Sequence, residues 1–269
     1  MNQSSAVTRP APTVRVPAVI TPWFWVVKVL TTAMGEATSD YMVKTLGPVP
    51  AVLAGAALFA VALVLQLRMR RYVAWTYWLA VSMVAVFGTQ AADVLHIKFH
   101  VPYAVSAAFY AVVLAVIFYV WSRSEHTLSI HSIVNARREL FYWATVLATF
   151  ALGTAVGDLT AIPLKLGYFA SGVLFLVVIA IPALAYRTRA LASVSAFWFA
   201  YVITRPLGAS FADYMNKPRV ASGLNWGDGP VALGLAGLIV VLVAYLAATR
   251  VDMPDLRTRP TGAAGRPAG

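Results

Sequence analysis

The chain has 269 residues, of which 60% are hydrophobic and only 12% charged, with a mean hydropathy of +0.75. A soluble domain carries about twice that charged fraction, so a water-soluble globule is excluded. There is no cysteine, which removes disulfides, thiolate metal sites and thiol catalysis, and the net charge of +11 is scattered between long apolar runs without a basic stripe, which argues against nucleic acid as a partner.

Residues 1–20 contain Arg9, Arg15 and three prolines and are expected to be a disordered cytoplasmic tail. The apolar run that follows ends in Glu36 and Asp40, not in a small-residue cleavage site, and so is expected to stay as a membrane helix. A bilayer core needs about 20 mostly apolar residues per helix. Eight stretches qualify, at 22–42, 49–67, 73–95, 101–121, 140–162, 166–186, 192–214 and 230–249. The transmembrane domain therefore spans 21–249, with repeats at about 21–71, 72–122, 139–189 and 191–249 and a solvated cytoplasmic linker over 122–139. Residues 250–269, rich in Pro, Gly and Arg, are expected to form a second disordered cytoplasmic tail.

Alternating the segments between the two sides of the membrane places fourteen of the 21 Lys and Arg on the side of the termini. Five fall on the other side (Lys44, Lys98, Lys165, Lys217 and Arg219), and Lys28 and Arg205 fall inside spans. The positive-inside bias then makes both termini cytoplasmic. Lys28 lies close enough to Trp25 to be expected to snorkel to that interface.

One pattern recurs four times: an aromatic residue, Trp, nine residues, Gly, four residues, Asp. It occurs as Phe24-Trp25, Gly35, Asp40; Tyr77-Trp78, Gly88, Asp93; Tyr142-Trp143, Gly153, Asp158; and Phe197-Trp198, Gly208, Asp213. Each instance lies in an odd-numbered span. A repeat of two spans restores the chain to its starting side, so all four units have one orientation and are expected to be related by a pseudo-fourfold axis along the membrane normal. The step from Trp to Asp is about 22 Å at the usual helical rise. Each Trp is therefore expected in an aromatic belt at one interface and each Asp in the opposite half of the membrane. Gly35, Gly88, Gly153 and Gly208 are expected to let the odd helices pack closely about a common axis, with the even helices forming a lipid-facing ring.

These four two-helix units, with the stretch Glu125–Ile133 and the run Phe141–Thr160, resemble a bacterial inner-membrane family built of four tandem repeats whose function is unassigned. The resemblance implies location and architecture, but no activity.

Function must then come from the polar residues. Five acids lie in spans: Glu36, Asp40, Asp93, Asp158 and Asp213. Ionised carboxylates in a bilayer face a cavity, a partner or an ion, and four equivalent Asp converging at one level would repel unless cations or protons intervened. Thr89 and Thr154 occupy the positions equivalent to Glu36, and Gln90 is nearby, so the donor set is all oxygen and amide, suited to a hard divalent ion. Arg205, followed by Pro206, either neutralises a carboxylate or helps to expel a bound cation. No nucleophile, phosphate loop or two-histidine signature is present, so no enzymatic activity and no resident cofactor are expected. The sequence favours a secondary transporter or exporter of a small cation, with Mn²⁺ the favoured type. An organic-cation or small-solute transporter and a non-transporting scaffold or sensor are the alternatives, and oligomeric state is left open.

Overall fold

The computed structural model describes residues 14–253. Over these it is helical, with eight long helices and no strand: α1 (Pro22–Leu46), α2 (Pro48–Arg68), α3 (Ala74–Asp93), α4 (Tyr103–Glu125), α5 (Ala136–Ala161), α6 (Gly167–Arg187), α7 (Ser193–Asn216) and α8 (Asp228–Thr249). Local chemistry sets the boundaries. Thr21 caps α1 by accepting from Phe24 N, with Pro22 at the first helical position, and Asn135 caps α5 by accepting from Arg138 N at 2.9 Å. Gly47, at φ +84°, ends α1 and opens α2 in a single residue, a backbone state that favours glycine.

Six of the eight helices are long and apolar enough to cross a membrane by length and composition. The other two, α1 and α7, miss that measure because they carry the charges: Lys28, Glu36 and Asp40 on one, Arg205 and Asp213 on the other. Most of these side chains are buried inside the bundle, so the shortfall in hydropathy marks the central helices and is consistent with eight spans.

The odd helices form a closed ring, in which α1 packs on α3, α3 on α5, α5 on α7 and α7 again on α1. The even helices do not fold back as compact hairpins on their own repeats. Each packs chiefly on the odd helix of the following repeat: α2 on α3, α4 on α5, α6 on α7, and α8 on α1. The last repeat is thus locked to the first and the ring has no free end. In their most apolar stretches α2, α6 and α8 are 22% buried and α4 28%, against 61% and 72% for α3 and α5, which separates a lipid-facing outer ring from an inner one.

The repeated glycines sit at the crossings. A Cβ added to Gly35 would meet Ala85, one at Gly88 would meet Phe150, one at Gly153 would meet Arg205 and Pro206, and one at Gly208 would meet Thr32 and the Val29 carbonyl. The contacted residues Ala85, Phe150, Arg205 and Thr32 all stand seven positions after their repeat's Trp, so the same contact is made four times around the axis.

Two features of the Trp-bearing end differ from expectation. Trp78, Trp143 and Trp198 are almost fully buried and pack with Phe24, Tyr77, Tyr142 and Tyr201 into one aromatic layer across the bundle. They plug the core instead of forming a lipid-facing belt, because the ring geometry turns that face of α3, α5 and α7 inward, while Trp25 of α1 is only partly buried. The linker is not simply solvated either. Ile130 and Ile133 are buried, and Trp198 Nε1 donates to the Leu128 carbonyl at 2.9 Å.

Of the two expected tails, residues 1–13 and 254–269 lie outside the described residues. The described parts are packed. Val16 is buried, Arg15 N donates to the Ile133 carbonyl, Val19 N donates to the Asp252 carbonyl, and Tyr72 donates to Asp252 at 2.5 Å. Arg15 also pairs at 2.9 Å with Glu139, which is fully buried and accepts from Gln66 at 3.0 Å. Both described ends and the linker thus share one side, called here the terminal side; the Asp-bearing end is the distal side.

The ring makes a packing prediction. Gly208→Ala places a methyl 2.8 Å from the Val29 carbonyl and should cost about 1–3 kcal/mol. Gly237→Ala on α8, where an added Cβ meets nothing within 4 Å, should be neutral. Thermal unfolding of the two purified variants in one detergent tests the difference, and equal stabilities would contradict close packing of α7 on α1.

Candidate functional site

Each odd helix carries a line of residues on one side, at positions 3, 7, 11 and 15 after its Trp, as four-residue steps along a helix give. The levels run Lys28, Val81, Val146, Tyr201; then Thr32, Ala85, Phe150, Arg205; then Glu36, Thr89, Thr154, Ala209; then Asp40, Asp93, Asp158, Asp213. The scaffold repeats while its decoration does not.

At the centre is Arg205, fully buried. Its Nη2 pairs with Glu36 Oε2 at 2.6 Å and donates to Thr154 Oγ1 at 2.8 Å and to Thr89 Oγ1. Its Nη1 donates to the Thr32 carbonyl at 3.1 Å. One guanidinium from the fourth repeat therefore engages the equivalent residue of each of the other three. Gly153 provides room for its stem, and Pro206 beside it removes a backbone donor from α7.

One level toward the distal side, Lys217 Nζ pairs with Asp40 and lies 3.5 Å from Asp213. Burial works against its ammonium form, but Asp213 and Asp40 outweigh that and hold its pKa above the ordinary lysine range. Oxygens of Glu36, Asp40 and Asp213 lie within 4.8 Å of one another. Asp213 is nearly fully buried, and its Oδ1 has no hydrogen-bond partner.

Not every expected site residue joins this group. Asp93 and Asp158 stand at the same level but outside the three-carboxylate cluster, and are half-buried. Asp93 borders a cleft of about 240 Å³ beside α2, where Gln90 also points. Gln90 donates to Met42 Sδ at 3.8 Å and packs on Gly55, because the residue after the Thr89 position lies on the flank of α3, away from the axis. His96 stacks on Tyr103 at 4.1 Å and bonds to the Val101 carbonyl, a local role. A groove of about 590 Å³ on the terminal side, bordered by Trp25, His131, Tyr186 and Phe197, lies at the other end of the odd helices from the acids.

Sequence reasoning missed two cations. Lys217 was assigned to the distal surface; its place four residues after Asp213 was the available signal. Lys28 was expected to snorkel, yet it is 1% exposed on the axis, because its position matches that of Tyr201, which faces inward.

A family model described as Repeat of Unknown Function (DUF347) matches the chain four times, over residues 23–72, 76–127, 141–190 and 196–252. The chain belongs to the DUF347 repeat family. Each DUF347 unit covers one odd helix with the even helix after it, in agreement with the Trp–Gly–Asp register. No curated protein and no solved structure matches the chain.

Removing one partner of a buried ion pair costs about 3–5 kcal/mol. Arg205→Met should therefore destabilise the bundle by about that amount through the stranded Glu36, and adding Glu36→Gln should recover much of it. A double-mutant cycle of unfolding free energies checks this; independent, additive losses would show that the two side chains do not interact.

Proposed function

We propose that the chain is a secondary transporter or exporter of a small cation, with a hard divalent metal such as Mn²⁺ favoured. The cation is held between the odd helices by Glu36, Asp40 and Asp213. The observation that carries this reading is the set of three carboxylates within 4.8 Å, two of them sharing the Lys217 ammonium. Opposed oxygens about a hard divalent ion stand roughly 4–5 Å apart, twice the usual metal–oxygen distance, so the cluster has the size to close on one ion. The donors are all oxygen, which suits Mg²⁺, Ca²⁺ or Mn²⁺.

In this reading Lys217 is a tethered counter-ion. It keeps the carboxylates from repelling one another when no metal is bound, and an entering metal displaces it toward water, where it is already 22% exposed. Asp93 and Asp158 supply further negative charge at the distal mouth. Arg205 sets the inner limit of the site, and the aromatic layer beyond it closes the path. Bound release to the terminal side requires that layer to part, and the helix contacts at glycine favour such sliding. The excess of Lys and Arg on the terminal side supports a cytoplasmic placement of both termini in a bacterial inner membrane. No enzymatic role is proposed. The Arg205–Glu36 pair also suits a non-transporting scaffold, and the two readings separate experimentally.

In vesicles containing the purified protein, Asp40→Asn and Asp213→Asn should abolish Mn²⁺ uptake while leaving the fold intact. Lys217→Met should bind Mn²⁺ at least about tenfold more tightly, a difference of roughly 1.4 kcal/mol, with slower turnover. Folded Asn variants that move Mn²⁺, Mg²⁺ and Ca²⁺ like wild type would favour the scaffold.

A further inference from the structure

Lys28 takes no part in the cation site described above, yet among the described residues it is the most sequestered amine in the bundle. It is 1% exposed, and its Nζ has no hydrogen-bond partner. It lies 4.1 Å from the centre of the Phe150 ring and 4.3 Å from that of Tyr201. Two desolvated ring faces return about 2 kcal/mol each, whereas taking an ammonium out of water costs several kcal/mol. The rings alone do not balance a permanent charge, and no carboxylate pairs with Lys28 among the described residues.

The groups around it give the amine a switch. The Arg205 guanidinium lies 5.2 Å from the same Phe150 ring, so two cationic side chains share one aromatic partner. Arg205 is neutralised by Glu36 at 2.6 Å. The other titratable groups facing this layer are hydroxyls: Tyr77 of α3 and Tyr142 of α5, with oxygens 2.5 Å apart, and Tyr201 of α7, whose hydroxyl is buried without a partner. Tyr77 and Tyr142 stand one turn nearer the terminal side than Lys28, with Tyr201 at its own level, and a buried hydroxyl without a partner, as on Tyr201, is a place for water.

We propose that Lys28 is a proton-carrying site that couples cation movement to proton movement in the opposite direction. The proposal rests on the transporter reading and adds its coupling ion. When a metal claims Glu36, Arg205 loses its carboxylate and its charge bears on Lys28. The ammonium then gives its proton to water on the distal side, from which the metal entered, leaving a neutral amine and a hydronium ion. When the aromatic layer parts and the metal leaves to the terminal side, Glu36 returns to Arg205 and the amine takes a proton from water on that side, so the proton crosses opposite to the metal. Nothing is oxidised or reduced, and one proton is exchanged for each approach of the metal to Glu36.

Vesicles holding the full chain and an internal pH dye, exposed to an inward Mn²⁺ gradient, test this. Wild type should move Mn²⁺ with proton counterflow. K28Q should still move Mn²⁺ down its gradient, with counterflow reduced at least tenfold and no accumulation driven by a pH gradient; K28M serves if K28Q does not fold. Mn²⁺ movement by K28Q with wild-type proton counterflow would overturn the coupling role alone, whereas wild type that moves no Mn²⁺ would overturn the transporter reading and the coupling with it. A second readout needs no variant and no flux. In the wild-type protein, acetylation of Lys28 by acetic anhydride, followed by mass spectrometry, should rise several-fold on adding Mn²⁺, because only the amine reacts. Lys28 left unlabelled with and without Mn²⁺, while Lys44 is labelled, would overturn the proposal.

Discussion

The bundle is organised around one buried charge. Arg205 sits where four helices meet, and the contacts of its Nη2 exist only because three neighbouring helices present acceptors at one level: Glu36 on α1, Thr89 on α3 and Thr154 on α5. An arginine in that position without them would cost many kcal/mol. The arrangement needs α7 close to α5, which Gly153 permits, and α1 close to α7, which Gly208 permits. Charge, helix spacing and ring closure are therefore one constraint seen from three sides.

The four repeats build a symmetric ring, and the chain uses it asymmetrically. Equivalent positions carry Glu, Thr, Thr and Ala at one level, and Thr, Ala, Phe and Arg at the next. Repetition fixes where inward-facing side chains stand, and divergence decides what each contributes. Interlocking of every even helix with the following repeat keeps the ring closed while its members differ. The result is a bundle whose distal half concentrates carboxylates and whose terminal half is filled by aromatic rings around a lysine.

Much of the architecture was legible because the Trp–Gly–Asp spacing sets both depth and face on a helix. It led to the ring of odd helices, the glycine crossings, and the shared level of Glu36, Thr89 and Thr154, though not to the carboxylate that Arg205 meets. Spacing within one helix does not, however, say which neighbour a side chain meets. Lys217 reaches Asp40 on α1 from the end of α7, a pairing of residues 177 apart in sequence. Asp93 and Asp158 share a level with Asp40 and Asp213, but the cations Arg205 and Lys217 both come from the fourth repeat and draw the cluster toward α1 and α7. Lys28 was misplaced by treating its distance from Trp25 as nearness to an interface, when the Trp layer itself is interior. A measure of length and hydropathy alone leaves out α1 and α7, whose charges are hidden among other helices, although both are among the eight spans read from the sequence.

The central claim is that Glu36, Asp40 and Asp213 form a site for one hard cation, otherwise held by Lys217. Titration of purified protein into Mn²⁺, followed by electron paramagnetic resonance, tests it most directly. The signal of the hydrated ion should fall until one ion is bound per chain, and the double substitution Asp40→Asn, Asp213→Asn should leave the signal unchanged. A wild-type protein that leaves the hydrated Mn²⁺ signal undiminished, or a double variant that removes it equally well, would contradict the account.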